Sequence, residues 1–288
     1  MSANRVLQHP AARPPIELSP SELKLRPPSA LLAALEARAV AEIGWFFQAL
    51  PLLRRLPRGD GHPVLVLPGF LASDRSTFLL RRFLRSKGYE AHAWRQGRNL
   101  GLRPGLELGM IRRLRSLHWR YGAKVSLVGW SLGGIYSREL ARQHPEHVRQ
   151  VITLGSPFNL SSRANHAWRI YELLSKEDLE VAEEMLEALR APLEVPSTAV
   201  YSKTDGVVAW QTCVDHVSPS AENVEVYGSH CGLGHNPMAI AVIADRLKQP
   251  EGVWRPFERR GVRRLLFRRP VLGPHEGLES QLGDAALI

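Results

Sequence analysis

Only two cysteines, Cys213 and Cys231, occur in the 288 residues. A disulfide scaffold therefore does not carry this fold, and a multi-thiolate zinc site is excluded. No segment reaches the ~18 uninterrupted apolar residues that a membrane-spanning helix needs. The opening MSANRVLQHPAARPP lacks the charged-then-apolar layout of a secretory signal. The expectation is a cytoplasmic protein, with at most peripheral contact to a membrane. No G-x-G-x-x-G follows a strand pattern and no G-x-x-x-x-G-K-[ST] occurs, so nucleotide binding has no support. The histidines outside 230–235 are scattered without metal-ligand spacing, and neither a metal nor an organic cofactor is expected.

What is present points to an enzyme-sized domain. Hydrophobic residues make up 44% of the chain, enough for one sizeable core with appendages. The formal charge of +10 raises the question of nucleic acid or anionic lipid. Between Val253 and Pro270, however, stand seven Arg against one Glu. The excess thus sits largely in a C-terminal tail. No nucleic-acid partner is expected, and the tail reads as a solvated basic arm, an anchor for anionic lipid, or a partner for an acidic helix face.

The chain divides into five stretches. Residues 1–61 form an N-terminal extension with a helix capped by Ser29 and ended by Pro51, its apolar positions Leu32, Leu35, Ala39, Ile43, Phe46 and Leu50 at helical spacing. It either covers the core or lies at an interface. Over 62–158 the pattern alternates. PVLVLPG reads as a buried parallel strand, Asp74 as the cap of a helix over 75–87, YEAHAW as a strand and 105–121 as a helix. KVSLVGW then reads as a strand, SLGGIYSRELARQH as a helix and VRQVITLGSP as a further strand. Residues 159–194 break the alternation. There Ser175 and Asp178 resemble a capping box before a helix with Leu179, Met185, Leu186 and Leu189 on one face, the place of a helical lid. Over 195–250 come the strands STAVYS and NVEVYG and a closing helix, followed by the basic tail 251–288. Strands alternating with helices of this length predict an α/β fold, a mostly parallel sheet flanked by helices.

Chemistry concentrates at GWSLGG, residues 129–134. By composition alone, a G-x-S-x-G match arises in about one such chain in eight, so the pattern needs its context. A strand precedes it and a helix follows, which is the arrangement of a serine displayed on a tight turn. Ser131 is the candidate nucleophile. A serine hydroxyl needs a base to take its proton and an acid to orient that base. With strand–Ser–helix order these come from loops after later strands. Asp205, in the KTDG turn after STAVYS, is the candidate acid, with Asp215 and Glu222 as alternatives. His230, just after NVEVYG, is the candidate base. Its rival His235 precedes Asn236-Pro237, which reads as a helix cap and first residue. Oxyanion donors are expected from the backbone N–H groups of Leu132 and of Phe70, the latter in the loop after the first core strand.

LPGF, GWSLGG, YSKTDGVV and GSHCGLGHNP occur in that order. With them the chain resembles the α/β-hydrolases of the bacterial lipase and esterase type over about residues 62–248. The resemblance implies the α/β-hydrolase fold with a helical lid and a Ser-His-Asp mechanism on a small-molecule or lipid ester. Pro68 stands where such lipases often carry His, which leaves the substrate open. An acyltransferase shares every one of these motifs, and a membrane-attached binding protein on the same scaffold is the non-enzymatic alternative. The oligomeric state is not legible. If Asp205 and His230 bond, their loops converge, and Cys213 and Cys231 should then be neighbours able to form a disulfide.

Overall fold

A computed structural model of the chain describes residues 27–159 and 190–273. Six strands form one sheet: β1 (Pro63–Leu67), β2 (Glu90–Ala93), β3 (Val125–Trp130), β4 (Val148–Leu154), β5 (Ser197–Tyr201) and β6 (Ala221–Glu225). Their order is β2-β1-β3-β4-β5-β6, and every neighbouring pair is parallel. Parallel strands need crossovers, and helices over both faces supply them.

Side chains alternate between those faces along each strand. Val64, Val66, Val128, Ile152, Leu154, Val200 and Val224 pack toward α2 (Ala39–Leu53), α3 (Phe78–Ser86) and α6 (Pro237–Leu247). Leu65, Leu67, Val125, Leu127 and Val151 point the other way, toward α4 (Leu106–Tyr121) and α5 (Leu132–Gln143). Burial on both faces explains why PVLVL is apolar throughout rather than alternating.

The parallel arrangement has one consequence for function. All carboxyl ends of the strands lie on one edge of the sheet. The chain order reverses between β1, which continues to β2, and β3, which lies on its other side. Ligands of open α/β sheets bind outside the carboxyl ends at such a switch point.

The N-terminal segment departs from its expected form. Ser29 caps α1 (Ala30–Ala34), accepting from Leu32 N at 3.3 Å. A 3₁₀ turn over Leu35–Arg38 leads into α2, which runs through Pro51 to Leu53 instead of ending at the proline. Burial of Leu53 in the core draws the last turn along. The inward face is also different. Glu42, Phe46 and Leu53 are buried, whereas Leu35, Ile43, Trp45 and Phe47 are exposed. A carboxylate thus occupies the position where an apolar stripe predicts a leucine or isoleucine.

Asp74 does not cap α3. Its carboxylate accepts from the amides of Trp94 at 3.1 Å and Arg95 at 3.2 Å, tying the end of β2 to the loop after β1. In the tail, Phe257 and Phe267 are buried, pack edge to face at 4.8 Å and join the core beside α6. Arg263 Nη1 pairs with Asp245 at 3.1 Å and its guanidinium lies over the Phe257 ring. Part of the basic tail is therefore folded onto the sheet. The expected lid helix lies outside the described residues.

Candidate active site

At the end of β3 the chain turns through Ser131 directly into α5. Ser131 has φ 53° and ψ −122°, a left-handed conformation rare for a residue with a side chain. Such strain costs of order 1–3 kcal/mol and persists only where the surroundings over-determine it. Here Ser131 N donates to the Leu154 carbonyl at 2.8 Å, and its own carbonyl accepts from Gly134 N at 2.8 Å. The flanking glycines follow from the tightness of the turn. A Cβ at Gly129 would collide with the Gly133 carbonyl, and one at Gly133 with the Leu67 carbonyl of β1. The turn lifts the Ser131 hydroxyl to the carboxyl edge of the sheet.

Asp205 lies four residues beyond β5. Its Oδ1 accepts from Val207 N at 2.8 Å and Val208 N at 2.7 Å, closing the loop on itself. Oδ2 is left for His230, whose Nδ1 lies 2.6 Å away. If Nδ1 carries the proton to this carboxylate, Nε2 remains an acceptor, the tautomer a general base requires. His230 is buried, and burial opposes its charged form. The Asp205 charge and hydrogen bond, with the charge of Glu36 behind them, together outweigh that and hold its pKa above the ordinary 6.5.

A consequence for pH follows. An imidazole acts as base only when neutral, and a raised pKa extends the protonated range upward. The acidic limb of kcat/KM on a suitable substrate is expected to have its midpoint above pH 6.5. A profile that stays flat well below that pH would exclude His230 as the base.

The alternative residues are engaged elsewhere. Asp215 pairs with Arg138 at 2.6 Å, and Glu222 with Arg246 at 2.7 Å. His235 Nε2 bonds the Ala39 carbonyl of α2 at 3.0 Å, while Asn236 caps α6 through Met238 N and Ala239 N. Of these candidate pairs, the structure brings together Asp205 and His230.

Ser131 and His230 both line a cavity of about 460 Å³. Its walls include Ala33, Gly69, Phe70, Leu71, Ala72, Trp130 and Val207, so they are mainly apolar. No hydrogen bond joins the Ser131 hydroxyl to His230 among the described residues, and contacts of this kind often tighten only around substrate. The loop after β1 passes close to Ser131. A Cβ at Gly69 would stand 3.2 Å from Ser131 Cβ. The Phe70 N–H has no acceptor among the described residues, and Leu132 N–H is the first, intrahelically unpaired donor of α5.

Three residues that hold this site were not picked out from the sequence. Asn99 Nδ2 donates to the Pro68 carbonyl at 2.9 Å, and its own carbonyl accepts from Leu71 N at 2.7 Å, bracing the Phe70 loop from both sides. Trp130 Nε1 donates to the His230 carbonyl at 3.0 Å, linking the serine turn to the histidine loop. Glu36 of the N-terminal segment accepts from the backbone on either side of the Asp205–His230 pair. Trp130 lies within the G-x-S-x-G motif and could have been suspected; Asn99 and Glu36 carry no local signal.

Both cysteines are free. Cys213 is buried beside Tyr201, Val208 and Val214, whereas Cys231 is exposed. No disulfide joins them: the histidine loop turns its cysteine outward, while Cys213 is turned into the core.

The order of the strands, the strained serine turn and the loops that converge on it define a class of hydrolase-like α/β proteins. The chain belongs to the alpha/beta hydrolase family, whose model matches residues 64–278. Among solved structures it is similar to lipase B of Aspergillus fumigatus, at 16% identity and a TM-score of 0.52, over 68% of this chain and 55% of that one. The chain thus spans little more than half of that protein. It is also similar to the mature form of Bacillus licheniformis lipase BlEst2, at 18% identity and a TM-score of 0.49, covering 68% and 95% of the two chains. A monoacylglycerol lipase of Paleococcus ferrophilus shows 12% identity and a TM-score of 0.45, with 64% and 96% covered. No curated protein sequence matches the chain.

Proposed function

We propose that this protein is a serine hydrolase of carboxylic esters with an apolar acyl group. The observation that carries the reading is the 2.6 Å Asp205–His230 pair opening onto the same cavity as the strained Ser131. Ser131 Oγ attacks the ester carbonyl while His230 Nε2 takes its proton. The tetrahedral oxyanion is held by the N–H groups of Phe70 and Leu132. His230 then gives the proton to the leaving alcohol, and the acyl group remains on Ser131. Water, deprotonated by the same imidazole, attacks the acyl-enzyme, and the acid leaves as Ser131 regains its proton. Asp205 orients His230 and stabilises the imidazolium without itself taking the proton.

The apolar lining supports the acyl side of the substrate, since the volume matches the roughly 300–1,000 Å³ of small-molecule sites. A fluorophosphonate probe tests the reading directly. The phosphonylated peptide is expected to be the one containing Ser131. Hydrolysis of p-nitrophenyl butyrate that persists undiminished once Ser131 is fully phosphonylated would overturn the mechanism. The same assay with glycerol present distinguishes the fate of the acyl group: free acid is the expected product, and acylglycerol in its place would make the protein a transferase.

A further inference from the structure

Glu36 stands at the 3₁₀ turn between α1 and α2, 170 residues before Gly206 and 194 before His230. Its Oε1 accepts from Gly206 N at 2.8 Å and from His230 N at 2.9 Å, and its Oε2 accepts from Cys231 N at 2.9 Å. One carboxylate thus bonds the acid loop immediately after Asp205 and the histidine loop at the base itself. Neighbours on the same segment repeat the pattern. Arg38 Nη2 donates to the Thr204 carbonyl at 2.5 Å, and Glu42 Oε1 accepts from Ser229 N at 2.8 Å. Close packing accompanies these bonds, since a Cβ at Gly206 would strike the Leu32 carbonyl.

We propose that Glu36 is a positioning residue of the ester-hydrolase site: its carboxylate clamps the Asp205 loop to the His230 loop, and its charge supports the imidazolium. The inference rests on the assignment of Asp205 and His230 as acid and base. Both oxygens of Glu36 are taken by backbone donors, so it is not itself a proton carrier. Burial opposes its ionisation, but the amides of Cys231, His230 and Gly206 and the nearby imidazole hold its pKa below the ordinary carboxylate value. It is therefore charged wherever His230 is neutral enough to act.

A carboxylate suits this position better than an amide. Three N–H groups converge on it, and a glutamine offers one acceptor oxygen and an NH₂. One backbone donor would then face another donor, an arrangement costly in a partly buried site. The charged and titratable groups facing His230 are Asp205 from the acid loop, Glu36 from the N-terminal segment and Cys231 beside it, with Glu42 one residue away on Ser229.

The test compares Glu36→Gln, Glu36→Asp and His230→Ala in the full chain, with rates of the Glu36 variants expressed per fluorophosphonate-titrated site and that of His230→Ala per folded protein. Glu36→Gln is expected to lower kcat roughly 10- to 100-fold with KM little changed, the scale of a misplaced reacting geometry. Losing a negative charge beside the imidazole disfavours its protonated form, so the acidic limb of kcat/KM should move to lower pH. Glu36→Asp keeps the charge but not the reach, and should lower kcat while leaving that limb in place. A merely structural role would lower the melting temperature and the number of active sites without moving the limb. Glu36→Gln with unchanged kcat and limb, or one that does not fold, overturns the inference. If His230→Ala is inactive and Glu36→Gln is unchanged, the Glu36 role alone falls. If His230→Ala keeps the wild-type rate, the base assignment falls and the role of Glu36 with it.

Discussion

Ser131→Ala is expected to lower kcat for ester hydrolysis by about 10⁶-fold, roughly 8 kcal/mol of transition-state stabilisation. The size follows from the chemistry. Without Oγ no acyl-enzyme forms, and the remaining path is attack by water in a site built for a different nucleophile. On the proposed mechanism the N–H donors of Phe70 and Leu132 would still act on the oxyanion, so the residual rate should exceed the uncatalysed one. Folding should be little affected. Alanine, like serine, must adopt the φ of 53° at this turn, and no described side-chain hydrogen bond is lost. Initial rates with p-nitrophenyl butyrate, on protein whose melting temperature matches the parent, give the comparison. A variant retaining near-parental turnover would remove Ser131 from the mechanism.

His230→Ala is the second large effect, with an expected loss in kcat of about 10⁴- to 10⁶-fold. On the proposed mechanism it removes the acceptor of the Ser131 proton and the donor to the leaving alcohol in one step. It also leaves the Asp205 carboxylate buried without its partner, so some stability should be lost as well. His235→Ala is the informative companion. His235 bonds the Ala39 carbonyl and stands at the entry to α6, so its replacement should cost about 1 kcal/mol of stability and leave kcat close to the parent. Inactivation by His235→Ala alone, with His230→Ala active, would reverse the assignment of the base.

The two histidines illustrate where reading the chain reaches its limit. Each lies near the end of β6, and position after a strand favours His230 without excluding the other. The decision comes from a 2.6 Å contact across 25 residues and from the Ala39 carbonyl, supplied by a helix 196 residues earlier. Asp215 and Glu222 were open alternatives for the same reason. Position after a strand favours Asp205, and its contact with His230, set against the pairing of the other two with Arg138 and Arg246, decides it. At the N-terminal helix the apolar spacing even misdirects, since Glu42 faces inward where Ile43 was expected to lie.

The sequence by itself determined the strand and helix order, the serine turn, and the loops from which an acid and a base could come. These rest on local physics: apolar runs that suit a strand buried on both faces, glycines where no Cβ fits, and an Asn-Pro pair that starts a helix. Only the tertiary structure decided which carboxylate meets which imidazole, that one thiol is buried and the other exposed, and that Glu36 joins both loops. Those outcomes depend on donors and acceptors far apart in the chain, brought to one edge because every strand of the sheet points the same way. A glutamate on an N-terminal helix looks like any solvated charge until the three amides that bind it are folded around it.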